Sequence, residues 1–167
     1  MTRYKNKVTK LRRYYFAYGA NCNLRSMEAR CPEAEPHRAV LLSGHKLVFR
    51  SSVADIERCD GGTMQGALWM ITPTCEASLD RYEGYPQLYD KKHVTITRQG
   101  YGEIEALTYV LCQEMPVQPP GRAYLNEIMQ GYQDYGIPMD QLHNAVRAAE
   151  RESYREIARI RRAELDY

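Results

Sequence analysis

Apolar residues fall in short blocks through the first two thirds of the chain and change to a three-to-four spacing in the last third. Tyr14-Tyr15-Phe16-Ala17-Tyr18, His93-Val94-Thr95-Ile96-Thr97 and Glu105–Leu111 are rich in β-branched and aromatic residues and predict strands. Ala39-Val40-Leu41-Leu42, a turn at Ser43-Gly44, and Lys46-Leu47-Val48-Phe49 predict a strand pair or one bent strand. Gln65–Ile71 is almost wholly apolar, as expected of a strand covered on both faces. Between these two, the polar stretch Ser51–Gly62, ending Asp60-Gly61-Gly62, predicts a loop.

Helices are marked by their ends as much as by their period. Leu24–Arg30 holds good helix formers and stops at Cys31-Pro32. Thr72-Pro73-Thr74 offers a Thr cap, followed by Glu76 in a first turn and an apolar face through Ala77 and Leu79; this helix should end near Tyr82–Gly84. Ala123–Tyr135 is a further helix, broken by Gly136 and Pro138. Asp140–Leu165 is the longest, with Leu142, Val146, Ala149, Ser153, Ile157 and Ile160 stepping by four and three. At 167 residues the chain supports one core. The pattern predicts an α+β fold with strands in the middle and a helical tail, and the strand count and turns permit a small barrel.

Charge narrows the partners little. The formal net charge of +2 calls for neither a nucleic acid nor a membrane surface. Residues 1–13 form a basic N-terminal arm, read as a solvated lead-in to the first strand, without the apolar core of a signal peptide. No run approaches the ~18 apolar residues of a membrane span. The five cysteines contain no C-x-x-C pair and do not join the four histidines at metal-ligand spacing, so they read as reduced thiols of a cytoplasmic protein with no metal site. Tyrosine is over-used, with 14 copies against 2 Phe and 1 Trp, which favours a pocket lined by rings with polar tips.

Two segments carry candidate chemistry. Glu83 lies in Leu79-Asp80-Arg81-Tyr82-Glu83-Gly84-Tyr85-Pro86-Gln87-Leu88-Tyr89, a carboxylate among tyrosines. Such packing raises a carboxyl pKa towards neutrality, where one group can both take and give a proton. The strand Tyr14–Tyr18 runs into Gly19-Ala20-Asn21-Cys22-Asn23, small and amide residues whose backbone N–H groups can hold an anion. Asp80 reads as solvent-facing or capping, Tyr82 and Tyr85 as pocket wall, and Trp69 as core. Cys22 invites a nucleophile reading, but no histidine stands at a telling position, and a buried small hydrophobe is the plainer one.

In order, these pieces resemble the γ-glutamylcyclotransferase (AIG2-like) family. Tyr15-Phe16-Ala17-Tyr18-Gly19-Ala20-Asn21 is similar to its Y-F-A-Y-G-S-N loop, and Gly66-Ala67-Leu68-Trp69 to the strand before its catalytic helix. Leu79-Asp80-Arg81-Tyr82-Glu83-Gly84 with Tyr89 resembles its L-D-x-x-E-G…Y segment, and Pro119-Pro120, Tyr124-Leu125 and Gly136-Ile137-Pro138 its C-terminal end. The resemblance implies a small mixed β-barrel flanked by helices over residues 14–142, a helical extension over 143–167, and no cofactor or metal. It implies a reaction in which the α-amino group of a γ-glutamyl substrate attacks its own γ-carbonyl, releasing 5-oxoproline and a free amine. Glu83 matches the catalytic acid/base; Tyr18, Gly19, Ala20, Asn21 and Tyr89 match the substrate-binding positions. The loop serine of the family is Ala20 here, which removes a hydroxyl but leaves the backbone cradle. That departure and the helical tail keep a second reading open: a binding module on the same fold that turns nothing over. The tail either packs on its own barrel or serves a homo-oligomer.

Overall fold

The computed structural model describes residues 11–165. Five strands close a barrel in the order β1-β3-β2-β4-β5: β1 Arg13–Ala17, β2 Glu35–Arg50, β3 Val53–Ile71, β4 Tyr89–Arg98 and β5 Gly102–Leu111. Every pairing is antiparallel except that of β1 with β5, which is parallel through Tyr15 and Leu107, so the barrel is mixed, as expected. Four helices, α1 Leu24–Arg30, α2 Pro73–Glu83, α3 Arg122–Tyr135 and α4 Asp140–Leu165, lie outside it. The basic arm falls largely outside the described residues; Arg13 already belongs to β1.

Phe16, Leu68, Ile96 and Leu107 are fully buried in the barrel. Each such side chain contributes about 1.5–3 kcal/mol relative to exposure. The helix ends read from the sequence hold because they are fixed by local chemistry. Thr72 Oγ1 accepts from the Cys75 N–H and Pro73 occupies the first turn, where its missing N–H costs nothing.

The loop expected over Ser51–Gly62 is instead strand. Arg50 pairs with Val53 around a two-residue turn, Ser51-Ser52, both with positive φ (47° and 65°). Those angles match the twist of a tight hairpin, a conformation that Ser seldom announces in a sequence. The Asp60-Gly61-Gly62 signal marks a bulge: Ser43 pairs with Thr63 and His45 with Arg58, so Gly44 alone faces the four residues 59–62. β2 is accordingly one bent strand rather than a strand pair.

α4 is uninterrupted across 142–143. Leu142, Ala145 and Ala149 are buried, and Gln141 exchanges hydrogen bonds with the backbone N–H and carbonyl of Gln65 on β3, both at 2.8 Å. Beyond Arg151 the helix leaves the barrel, and Tyr154, Ile157, Ile160 and Leu165 are exposed. Among the described residues no helix is long and apolar enough to cross a membrane.

Candidate active site

β1 delivers the chain to one mouth of the barrel, where Gly19 opens a 3-10 turn, Ala20–Cys22. The turn is clamped from several sides. Trp69 Nε1 donates to the Asn21 carbonyl (3.0 Å), the Tyr132 hydroxyl donates to the Tyr18 carbonyl (3.2 Å), and Asn23 Oδ1 caps α1 through the Ser26 N–H (3.0 Å). α3 comes so close that a Cβ on Gly131 would lie 2.5 Å from the Asn23 nitrogen and the Cys22 carbonyl carbon. Only glycine permits that approach.

α2 brings Glu83 to the same mouth. Gly84, at φ 65°, ends the helix in the left-handed region, and the Gly84 and Tyr85 N–H groups bond back to the Arg81 and Asp80 carbonyls. This fixes the backbone immediately after Glu83. A carboxylate at a helix C-terminus also meets the negative end of the peptide dipoles, which disfavours its charge.

Glu83 and the 3-10 turn share a cavity of about 280 Å³. Its wall contains all six residues singled out in the sequence, Tyr18, Gly19, Ala20, Asn21, Glu83 and Tyr89, together with Tyr15, Val53, Ala54, Tyr82, Leu88, Tyr109 and Tyr124. Glu83 Oε1 accepts from Asn21 Nδ2 at 2.8 Å, and the same amide donates to the Tyr15 hydroxyl at 2.9 Å. Burial pushes the Glu83 carboxyl up from 4.5 to about 7, against the Arg30 guanidinium and the Asn21 hydrogen bond, which both pull it down. Such a group is divided between acid and base at neutral pH.

The tyrosine hydroxyls mostly serve the frame. Tyr18 donates to the Tyr109 carbonyl, Tyr89 to the Ala54 carbonyl (2.7 Å), and Tyr109 to Asp80 Oδ1 (2.6 Å). Tyr124 accepts from the Ala54 N–H at 3.3 Å. Tyr15, Tyr18, Tyr89, Tyr109 and Tyr124 all titrate above the ordinary phenol, through burial first and then the surrounding acidic groups. These phenols stay neutral, and the cavity presents ring surface and a single carboxylate.

Asp80 departs from its expectation as a solvent-facing or capping residue. It accepts from Tyr109 and from Lys91 Nζ (2.9 Å), which also reaches Glu76 Oε1 at 2.7 Å; together they tie α2 to β4 and β5. Cys22 is fully buried, donates to the Ala17 carbonyl, and burial pushes its thiol up to about 12, which removes the thiolate a nucleophile needs. Trp69 is core. Of the two expected wall residues, Tyr82 lines the cavity, whereas Tyr85 is not in its wall and lies under the Lys91 ammonium. Sequence reading missed Arg30 and Glu127. Arg30 Nη1 donates to Asn21 Oδ1 (2.9 Å) and Nη2 to Glu127 Oε1 (3.1 Å). No local pattern marks either, because they meet only when α1 and α3 pack. Among the described residues no three His, Cys, Asp or Glu side chains converge on a metal position.

Known proteins share this arrangement of elements. The chain is 28% identical over 138 residues to γ-glutamylcyclotransferase from Bos taurus, a match that spans 75% of this chain and 73% of that one. A solved structure of a γ-glutamyl cyclotransferase superposes with a TM-score of 0.72 over 81% of this chain and 86% of its own, at 24% identity, a likeness of fold. An uncharacterized protein from Homo sapiens gives 0.71 at 25% identity, over 80% of this chain and 86% of that one. The sequence profile described as Gamma-glutamyl cyclotransferase, AIG2-like matches residues 15–132, from the middle of β1 to the last turn of α3. That stretch holds the 3-10 turn, the barrel and Glu83, and with it the chain belongs to the γ-glutamyl cyclotransferase, AIG2-like family.

Proposed function

We propose that this γ-glutamylcyclotransferase-like enzyme turns a γ-glutamyl amine or γ-glutamyl amino acid into 5-oxoproline and the free amine, with Glu83 as the proton carrier. The substrate's α-amino nitrogen forms a bond to its own γ-carbonyl carbon, closing a five-membered lactam, and the bond from that carbon to the leaving nitrogen breaks. The α-ammonium loses two protons on its way to the lactam N–H: as carboxylate, Glu83 takes one and, as carboxylic acid, gives it to the leaving nitrogen, while the other passes to solvent. No protein nucleophile is required. The substrate, folded in a small cavity, supplies its own at high effective concentration.

The observation that carries this reading is the Glu83 carboxyl itself, part-buried among phenols, near neutrality, bonded to Asn21 and lining with the Gly19–Asn21 turn one cavity of about 280 Å³. Opening N–H groups of a short helical turn have no carbonyl behind them to bind, so those of Ala20 and Asn21 suit the substrate α-carboxylate or the oxyanion at the reacting carbon. Tyr18 and Tyr89 shape the wall with their rings, since their hydroxyls are engaged elsewhere. The five free thiols, three of them buried, support a reducing, cytoplasmic setting.

Glu83→Gln tests the proposal. It retains an acceptor for Asn21 and loses the exchangeable proton. Release of 5-oxoproline from a panel of γ-glutamyl compounds, followed by chromatography, should vanish while the circular dichroism spectrum is unchanged. Turnover close to that of the unmodified protein would end this assignment.

A further inference from the structure

An amide side chain has two unlike ends, and at Asn21 the choice between them decides what Glu83 meets. Its Nδ2 donates to Glu83 Oε1 and to the Tyr15 hydroxyl; its Oδ1 accepts from Arg30 Nη1. Turned over, the amide would aim its oxygen at the carboxylate and its nitrogen at the guanidinium, two donors facing each other. Arg30 is always protonated and has no acceptor to offer, so its presence excludes that orientation.

Arg30 is itself held on three sides. Nη2 donates to Glu127 Oε1 at 3.1 Å, Nη1 meets Asn21, and the guanidinium plane stacks over Tyr82 at 3.6 Å from the ring centre. Glu127 Oε1 also accepts from Ser26 Oγ at 2.6 Å, and the Glu127 carbonyl accepts from Asn23 Nδ2 at 3.2 Å. A continuous chain therefore runs Glu127–Arg30–Asn21–Glu83 and crosses α3, α1, the 3-10 turn and α2.

We propose that Arg30, anchored by Glu127, is a positioning residue for the cyclotransferase reaction: it fixes the Asn21 amide so that Glu83 Oε1 is permanently an acceptor and the mobile proton is confined to Oε2. One carboxyl oxygen is thereby held still while the other exchanges the proton with substrate. The inference rests on the proton-carrier role of Glu83.

The same arrangement sets the charge around Glu83. Among the described residues, neutral phenols surround it, Tyr15 from β1, Tyr18 from the following loop, Tyr82 beside it on α2, Tyr89 from β4, Tyr109 from β5 and Tyr124 from α3, and the cation that acts on it is Arg30 from α1. The guanidinium favours the ionised carboxyl, and Glu127 partly cancels the guanidinium. The two partners should therefore move Glu83 in opposite directions.

The test uses Arg30→Met, Arg30→Lys and Glu127→Gln in the full chain, with two readouts. In pH–rate profiles, Arg30→Met should lower kcat about ten- to a hundredfold with a smaller change in KM, and move the acidic limb to higher pH. Glu127→Gln, which keeps an acceptor for Arg30, should move that limb to lower pH. Arg30→Lys should return the limb most of the way and kcat only in part, because a lysine restores the charge without the two-armed contact. The second readout is the titration of Glu83 itself by NMR on side-chain-labelled glutamate, assigned with Glu83→Gln. It needs no turnover, so it reports the positioning chain even for a protein that releases no 5-oxoproline. Opposite shifts from Arg30→Met and Glu127→Gln support the proposal. Shifts in the same direction, or none, in variants that melt as the unmodified protein does, would overturn it.

Discussion

Asp80 and Glu83 stand one turn apart on α2 and live in unlike surroundings. Asp80 accepts from Lys91 and Tyr109, and with Glu76 it forms a cluster in which a cation answers the acids. Glu83 meets one amide and a wall of phenol rings, with the nearest cation reaching it through Asn21. The first region is matched in charge and fastens a helix to a barrel. Among the described residues the second pairs its carboxyl with no cation directly, and that is the state a proton carrier requires. The contrast teaches that residue type and helix position do not assign a role to a carboxylate; its partners do.

Exchanging the charge at each position should separate the two roles. Glu83→Gln should cost about 10²–10⁴ in kcat, the usual span for loss of a general acid/base, as read by 5-oxoproline release. Asp80→Ala should leave kcat within about tenfold, because Asp80 does not line the cavity and meets its wall only through the Tyr109 hydroxyl. An Asp80→Ala variant as inactive as Glu83→Gln would erase the distinction.

Stability should respond with the reverse sign. The folded chain keeps the Glu83 proton up to about pH 7, whereas the unfolded chain releases it near 4.5. Between those values the folded state binds more protons, so stability from this group is fully present below about pH 4.5 and is lost as pH rises through 7. Glu83→Gln should then be more stable than the unmodified protein at pH 8, by up to about 3 kcal/mol. The gain should fade towards pH 5, and urea titrations at the two values measure it. Asp80→Ala should instead be destabilising at pH 8 by about 1–3 kcal/mol, since it strands the Tyr109 hydroxyl and removes one partner of Lys91.

Smaller effects sharpen the same picture. Tyr89→Phe removes one hydrogen bond to the Ala54 carbonyl while keeping the ring, and should cost about 0.5–1.5 kcal/mol with little change in KM. A large rise in KM would mean that the hydroxyl, and not the ring, meets the substrate. At the far end of α4, Ile157→Ser should change the melting midpoint least of all, by the equivalent of about 0.5 kcal/mol, because Ile157 lies where the helix has left the barrel.

The legible parts of this protein are those written in consecutive residues. Thr72-Pro73 and Gly84 bracket α2, Leu24–Arg30 stops before Cys31-Pro32, and the period of Asp140–Leu165 spells a single helix; each end depends on atoms a few residues apart. The Tyr15–Asn21 and Leu79–Tyr89 segments were legible as a pair through resemblance to a family. The Ser51–Gly62 stretch misled because its hairpin turn uses Ser-Ser at positive φ, and its two glycines sit in a bulge rather than at a turn. Asp80 misled because its partners, Lys91 and Tyr109, come from strands paired beyond the helix.

Sequence alone therefore determined where helices begin and end, that the chain builds one core, and which carboxylate lies among tyrosines. Only the tertiary structure decided that Asn21 turns its amide towards Glu83, that Arg30 and Glu127 stand behind it, and that the hydroxyls of Tyr18, Tyr89 and Tyr109 point into the frame. The reason is physical. Caps and periodicity act over one turn of chain, whereas the acidity of a buried carboxyl is set by every dipole and charge within several ångströms, and those are brought there by packing between elements far apart in sequence.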